Sequence, residues 1–307
     1  MRKSFLVLLV AGIVSFQSLK AQYYFYNNRY YENSLTFELG ASAGVMNCLT
    51  DLGGKKGVGK KFIKDLNWKN TKLSYGFYLV GMYQEKIGFR LEGTFGSIAG
   101  YDSILKPVDP ASNSDRFRYE RNLSFKSKIA DFQLSVEIHP LFFKSYDDQP
   151  PVLSPYAVAG IGYYLFDPQA KLNGQWYALQ PLKLEGQGFK EYPDRKPYKL
   201  GQFNIATGLG VRYEINSMFN ARLELVHRFL FTDYLDDVST KYIDPNLFYN
   251  YLPTNLAAIA LQLNNRKGEL NPSDITNTGD QRGDPKDKDS FFSIQLKFGI
   301  TFGRERR

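Results

Sequence analysis

The fold of this chain is indicated most clearly by one stretch, Phe203-Asn204-Ile205-Ala206-Thr207-Gly208-Leu209-Gly210-Val211-Arg212-Tyr213-Glu214-Ile215. Residues on its odd-numbered positions are largely apolar, and those on its even-numbered positions are polar or small. Successive side chains of a β-strand point to opposite faces, so the pattern predicts one strand with two unlike faces. Because a soluble sandwich also alternates, the rest of the chain has to show which face is buried.

Seven further stretches alternate in the same way and predict seven more strands. They lie at 34–46, 71–83, 87–98, 123–138, 156–166, 221–230 and 291–302. Within 123–138 the apolar phase changes between Ile129 and Ala130. One inserted residue exchanges the two faces of a strand, so this change predicts a β-bulge.

The first residues indicate export. Arg2 and Lys3 precede an apolar run at 5–16, and a small residue, Ala21, follows a short polar stretch. The run is shorter than the roughly 20 residues that a spanning helix needs. Residues 1–21 are therefore predicted to be a secretory signal peptide, and the exported remainder is either a periplasmic protein or a membrane barrel.

Composition favours the barrel. Aromatic residues make up 16% of the 307 residues, yet the mean hydropathy is −0.37. Membrane barrels combine apolar outer faces with a polar lumen and polar loops, which gives this average. The formal charge of +8 would suit nucleic acid, but export makes outer-membrane lipid or anionic lipopolysaccharide the expected partner.

The connections between predicted strands alternate between long and short. The long ones are 47–70, 99–122, 167–202 and 231–290. In outer-membrane barrels the short turns are periplasmic and the long loops extracellular. The chain is thus predicted to be all-β, an eight-stranded antiparallel up-and-down outer-membrane β-barrel over 34–303, with long extracellular loops and both termini periplasmic. Residues 304–307 form a basic C-terminal tail.

The face opposite the apolar one carries charges. They are Glu38, Arg90, Glu92, Asp131, Glu137, Arg212, Glu214, Arg222, Glu224, Arg228 and Lys297. Eight strands leave an interior just wide enough for side chains, and an unpaired buried ion is costly. We therefore expect a structural network of salt bridges that closes the lumen rather than a conducting pore.

An aromatic segment at 22–33 precedes the first strand. Its candidate partner-binding residues are Tyr23, Tyr24, Phe25, Tyr26 and Arg29. Aromatic and Arg side chains carry much of the energy of protein interfaces. The alternative is an aromatic girdle against lipid headgroups, since barrels use such girdles at both membrane surfaces.

No catalytic or cofactor motif is evident, so the chain is predicted not to be an enzyme and to bind no cofactor or small-molecule substrate. His139 and His227 lack a Ser or Cys partner at motif spacing. The acidic segment at 232–239 could bind Ca²⁺, but its spacing is not that of a calcium loop, which favours a solvated loop start. The single cysteine, Cys48, cannot form an internal disulfide.

Four segments together resemble a known group. They are 121–127, 155–163, the motif Glu185-Gly186-Gln187-Gly188, and the segment 232–239 with Asp233, Tyr234, Asp236 and Asp237. The chain is similar in these segments to the PorG-like outer-membrane barrels of the Bacteroidota. The resemblance implies an eight-stranded barrel associated with type IX secretion and gliding, with periplasmic secretion-ring proteins as partners.

The first functional hypothesis is therefore an accessory or anchoring component of the type IX secretion machinery. The second is a surface-binding, adhesin-like barrel that acts through its long loops. The third is a small porin, which would require an open lumen.

Overall fold

A computed structural model describes residues 34–54, 67–105, 113–144, 151–273 and 276–304. The predicted signal peptide and the aromatic segment with Tyr23, Tyr24, Phe25, Tyr26 and Arg29 lie outside these ranges. Nine strands are present in the described residues: β1 Leu35–Leu49, β2 Lys72–Tyr83, β3 Ile87–Tyr101, β4 Ser124–Ile138, β5 Leu153–Leu172, β6 Gln175–Ala178, β7 Gly201–Glu214, β8 Phe219–Leu230 and β9 Ser290–Phe302.

Eight of these strands close into a barrel. Each pairs antiparallel with its neighbours in the order β4-β3-β2-β1-β9-β8-β7-β5, and β5 pairs back with β4. The fold class predicted from the alternation is confirmed. β6 extends the end of β5 as a short hairpin, so the predicted loop 167–202 is wrong in its first part, where β5 continues to Leu172.

The two ends of the barrel differ. At the short-turn end, β2–β3, β4–β5 and β7–β8 are joined by residues 84–86, 139–152 and 215–218. At the long-loop end, the connections are 50–71, 102–123, 173–200 and 231–289. The described parts of these four connections are called the loop cap. It contains three α-helices, α1 Asn113–Arg121, α2 Leu247–Tyr251 and α3 Thr254–Asn264, besides short 3-10 turns.

The outer face of the barrel is apolar. Every barrel strand contributes at least one large exposed apolar side chain to a belt, which includes Leu39, Phe77, Leu91, Leu134, Ile161, Leu209, Leu223 and Leu296. On β4 the belt runs from Ala130 to Ile138. At about 3.3 Å per residue and a strand tilt of about 40°, the eight steps of that stretch rise roughly 20 Å, comparable to the apolar band of membrane barrels.

β4 contains no bulge, and the prediction of one between Ile129 and Ala130 is wrong. Its residues pair one to one with β3 and with β5 through this region. Phe125 and Ile129 point inward and are buried, whereas Lys126 and Lys128 point outward and are exposed. The strand keeps its phase, and what changes is the chemistry of the two faces.

The inside of the barrel changes in character along its length. Toward the long-loop end it is apolar, and its side chains join the core of the loop cap. That core includes Met46, Ile98, Phe125, Ile129, Tyr164, Phe166, Leu182, Leu184, Phe189, Leu235, Val238, Phe248, Leu263 and Phe291. α3 adds Ala257 and Ala260 to it, since residues three apart lie on one helix face. All four long connections of the cap therefore pack around one core with the upper barrel.

Candidate functional site

All the charged residues assigned to the lumen from the sequence are buried inside the barrel. Glu38, Arg90, Glu92, Asp131, Glu137, Arg212, Glu214, Arg222, Glu224, Arg228 and Lys297 are each at most 6% exposed. Taking such groups out of water costs several kcal/mol per ion unless partners replace the water. The partners are present, as the following contacts show.

Arg222 and Arg90 form the centre of the network. Arg222 Nη1 lies 2.9 Å from Glu137 Oε2, and Arg222 Nη2 donates to Glu38. Arg90 Nη1 lies 2.9 Å from Glu137 Oε1 and 2.7 Å from Glu224 Oε2. Glu137 therefore joins two arginines, one on β3 and one on β8, from opposite sides of the barrel.

Lys297 extends the network to a second carboxylate pair. Its Nζ lies 2.7 Å from Glu92 Oε1 and 2.7 Å from Glu224 Oε1. Arg90 Nε also approaches Glu92 Oε2 at 3.2 Å. The pairs cross the lumen from strand to strand, so the network ties opposite walls together.

Two tyrosine rings fill the space around Arg222. The guanidinium carbon lies 5.5 Å from the ring centre of Tyr78 and 5.4 Å from that of Tyr156. Tyr78 Oη donates to Glu38 Oε1, and Tyr156 Oη donates to Glu224 Oε2, both at 2.7 Å. Gly299 and Gly210 make room, because a Cβ at either position would collide with Tyr78 or Tyr156.

A separate pair lies nearer the apolar part of the interior. Arg228 Nε donates to Asp131 Oδ2 at 3.1 Å, and Asn204 Nδ2 donates to Asp131 Oδ1 at 2.9 Å. Gln133 Nε2 also donates to Asp131, at 2.8 Å. The carboxylate is thus held by three donors from three strands.

Sequence reasoning missed two residues at the mouth of the short-turn end. Glu85, from the turn between β2 and β3, is buried and accepts from Arg212 Nη1 at 2.6 Å. Arg304, assigned to a basic tail, lies 3.1 Å from Glu85 Oε1 and also pairs with Glu214. A turn residue and a terminal residue normally face water, so the sequence carries no signal for either contact.

His139 also joins the lumen network. Its Nε2 lies 3.2 Å from Glu137 Oε2, and its ring stacks on Tyr156 with 5.0 Å between ring centres. The residue follows β4 directly, and its buried side chain turns into the barrel. His139 therefore has a structural role in closing this end.

Glu185 clasps two connections of the loop cap. Its carboxylate accepts from the backbone N–H groups of Ser239 and Thr240 at 3.0 and 2.9 Å. It also lies 2.9 Å from Arg282 Nη1. The motif that begins at Glu185 and the segment 232–239, which carry the family resemblance, thus meet in the structure.

Arg121 clasps the other connections. It pairs with both oxygens of Asp102, at 2.8 and 2.9 Å, and donates to the backbone oxygens of Asp51 and Arg282. These four residues come from three of the long connections. Charge-assisted hydrogen bonds of this kind are among the stronger ones in proteins, so Arg121 holds the cap together.

The remaining motif residues shape the same region. Gly186 and Gly188 have φ values of +73° and +82°, which suit glycine, and Gln187 Oε1 accepts from the N–H of Glu185. Tyr234 stacks on Tyr198. These contacts help to build the cap.

The acidic segment at 232–239 is not a solvated loop start, and that interpretation is wrong. Asp233, Asp236 and Asp237 are buried because the cap folds over them. Burial raises the pKa of Asp233 to about 8 and those of Asp236 and Asp237 to about 7. Among the described residues, no group of His, Cys, Asp and Glu is arranged to hold a metal ion.

Cys48 is buried at the top of β1, where its Sγ lies 3.8 Å from the carbonyl oxygen of Ala99. The side chain belongs to the core shared by barrel and cap. Cys48 is therefore a packing residue.

An apolar exterior around a charged and filled interior defines a transmembrane β-barrel. Within the part of the chain that the structure describes, no helix is long and apolar enough to cross a membrane. Comparison with family models and with curated proteins finds no match.

Several solved barrels are similar at a low level. The N-terminal β-barrel domain of Pseudomonas aeruginosa OprF is 8% identical, with 88% of this chain and 98% of that chain covered and a TM-score of 0.34. Neisserial surface protein A is 7% identical, with 88% and 98% covered and a TM-score of 0.36. Pseudomonas aeruginosa OprG is 10% identical, with 87% and 95% covered and a TM-score of 0.36. These scores are too low to support a conclusion, so the fold assignment depends on the strand pairing described above.

Proposed function

We propose that this chain is a non-conducting outer-membrane barrel that acts as an anchored binding component, with the loop cap as its binding surface. The observation that supports this is the single core shared by the four long connections, clasped by Glu185, Arg121 and Arg282. A surface that is ordered before binding loses less conformational entropy when a partner docks. The fold of the cap therefore suits recognition.

The filled lumen supports the non-conducting part of the proposal. Ion pairs cross the barrel at Arg90, Arg222 and Lys297, and the cap core lies above them. Planar-bilayer recordings of the purified barrel should show no steady conductance. Large, stable channels would contradict the proposal and favour the small porin.

The orientation follows the rule that short turns are periplasmic. An epitope tag inserted after Asn277, an exposed residue of the cap, should be reachable on intact cells. A tag in the turn 215–218 should be reachable only after the outer membrane is permeabilised. The reverse result would place the cap in the periplasm.

The resemblance to the PorG-like barrels leads us to propose the type IX secretion machinery as the assembly in which this anchor acts. The quoted motifs at 185–188 and 232–239 support this because they meet as one structural unit. The test is a clean deletion strain, in which secretion of type IX cargo should fall while other outer-membrane proteins still insert.

Replacing Tyr23, Tyr24, Phe25 and Tyr26 with Ser then tests where the partner binds. Loss of co-purifying periplasmic ring proteins would support an interface at the aromatic segment. If secretion is normal in the deletion strain and attachment to surfaces is lost, the adhesin-like role through the cap is correct instead.

A further inference from the structure

The outward wall of β4, β5 and β6 carries a cluster of lysines directly above the apolar belt. Lys126 and Lys128 of β4 and Lys171 of β5 share the outward face and are all exposed. Lys126 and Lys128 are paired across the sheet with Gln169 and Asp167, and Lys171 with Trp176. The three ammonium groups therefore belong to one stretch of wall.

The charge of this wall is unbalanced. Asp167 is the acidic residue paired across the two strands here, and its carboxylate accepts from Gln169 Nε2. Within the described ranges, no ion pair includes any of the three lysines. Three positive charges thus face one negative charge on a surface open to solvent.

Trp176 marks the level of this wall relative to a membrane. It is 42% exposed, and Lys126 Nζ lies 5.9 Å from its ring centre. Tryptophan is enriched where the polar headgroups of a bilayer meet its hydrocarbon. The lysines are therefore at the height of lipid phosphates.

An apolar groove begins just below the lysines on the same wall. The whole cavity has a volume of about 670 Å³ and is lined from β1 to β5 and β7, with Glu92 and Gln133 on its inward side. Its outward-facing lining includes Gly93, Phe95, Phe132, Ile161, Tyr163 and Phe203. Gly93 widens the groove, because a Cβ there would only just touch Phe95 and Phe132. The outward-facing part of this lining is thus apolar and open along the barrel wall.

We infer that this wall is a binding site for one phosphate-bearing lipid of the leaflet at the long-loop end. The phosphate lies among Lys126, Lys128 and Lys171, and an acyl chain lies in the groove beside Gly93. The lysines and the groove lie on the same wall, which favours a lipid over a free anion. A free phosphate would bind the lysines alone, because it has no acyl chain to occupy the groove. The inference rests on the membrane placement proposed above.

The experiment uses the intact barrel reconstituted in phosphatidylcholine nanodiscs that contain diphosphorylated lipid A. Native mass spectrometry then counts the lipid A molecules that stay bound after transfer to mild detergent. One basic residue near an anionic lipid changes binding by roughly fivefold. Replacing the three lysines, K126Q with K128Q and K171Q, should therefore lower retention by tenfold or more.

A second variant tests the groove without a change in charge. Gly93→Leu fills the groove, and the site for its Cβ is open enough for the strand to fold. It should also lower retention several-fold. The matched control removes three exposed lysines from the cap surface, K190Q with K196Q and K241Q, and should retain lipid A as the wild type does.

The outcomes separate the possible sources of the phosphate. Equal retention of dephosphorylated lipid A, or equal losses in the control, would overturn the inference. Full displacement of lipid A by inorganic phosphate, together with normal retention in Gly93→Leu, would assign the lysines to a free anion and also overturn it. A barrel that fails to insert into nanodiscs, shown by lack of heat-modifiable migration, would instead refute the proposed membrane function.

Discussion

Toward the short turns, the inside of the barrel holds ion pairs around Arg90 and Arg222, whereas toward the long loops it holds apolar side chains such as Phe125 and Phe291. The outer face shows the opposite change, from exposed leucines in the belt to exposed lysines such as Lys128 above it. In the region near the short turns the inside is charged and the outside apolar, and in the region near the long loops the inside is apolar and the outside charged.

The difference shows how the surrounding solvent sets the chemistry of each face. Inside a bilayer the outer face must be apolar, so charges can be placed only in the lumen, where each needs a partner. Beyond the hydrocarbon of the bilayer, the wall faces headgroups and water, and burial of apolar groups in the interior is again favourable. The boundary on β4 lies near Ala130.

The largest expected effect is in the charged region. Arg222→Met removes the guanidinium that pairs with both Glu38 and Glu137, and these two carboxylates stay buried in the lumen. Breaking one partner of a buried pair costs about 3–5 kcal/mol, so the free energy of unfolding of the barrel should fall by that amount. Urea unfolding of the barrel in lipid vesicles, followed by heat-modifiable migration, measures it.

The matched control is Arg266→Met, which breaks an ion pair with Glu269 on the cap surface. A surface pair of this kind is worth about 1 kcal/mol or less. An equal fall in the free energy of unfolding in the two variants would show that ion pairs in the lumen stabilise the barrel no more than surface pairs do.

A smaller effect, confined to the cap, is expected from Glu185→Gln. The change removes the carboxylate that pairs with Arg282, although Arg282 keeps its bond to the carbonyl oxygen of Asp237. Loss of a buried charged hydrogen bond costs about 1–3 kcal/mol. Limited proteolysis should cut the cap faster while the barrel keeps its heat-modifiable migration.

Glu191→Gln provides the control, because Glu191 is exposed and accepts only from Tyr251 Oη among the contacts described. The cap of the Glu191→Gln variant should resist protease as well as the wild-type cap does. Global unfolding of the Glu185→Gln barrel would mean that cap and barrel form one cooperative unit, which would weaken the comparison between the two regions.

The expected effect that is smallest for each unit of pH is a gradual dependence of the stability of the cap on pH. Burial raises the pKa of Asp233 to about 8, and the nearby carboxylates of Asp51 and Asp236 act in the same direction, whereas Ser239 and Lys288 oppose it. The folded cap therefore keeps protons that unfolded loops release near pH 4. Its stability should fall as the pH rises from about 4 through about 8.

Proteolysis of the cap at a series of pH values, with a protease of flat activity over that range, checks this slope. Asp233→Asn cannot lose a proton and should make the dependence shallower. A cap that becomes more resistant as the pH rises, or an unchanged slope in Asp233→Asn, would contradict the assignment.

The sequence by itself determined the eight barrel strands, most of their faces and the fold class. Alternation is a local property, so the stretch 203–215 shows its apolar face and its inward Arg212 and Glu214 without knowledge of any contact. The same parity placed the lumen charges correctly. It failed on β4, because the apolar face was assumed to point outward along the whole strand. Near Phe125 and Ile129 the outer face leaves the hydrocarbon of the bilayer, and there the apolar side chains point inward.

Only the tertiary structure decided how the charges pair and how the long connections fold. Arg304 reaches Glu85 across more than two hundred residues of sequence, and Arg121 joins Asp51 to Arg282. Neither contact follows from a repeat or a motif. Such contacts form because closure of the barrel brings distant segments of the chain to the same end. Burial of a charged side chain there is favourable only when all of its partners are present.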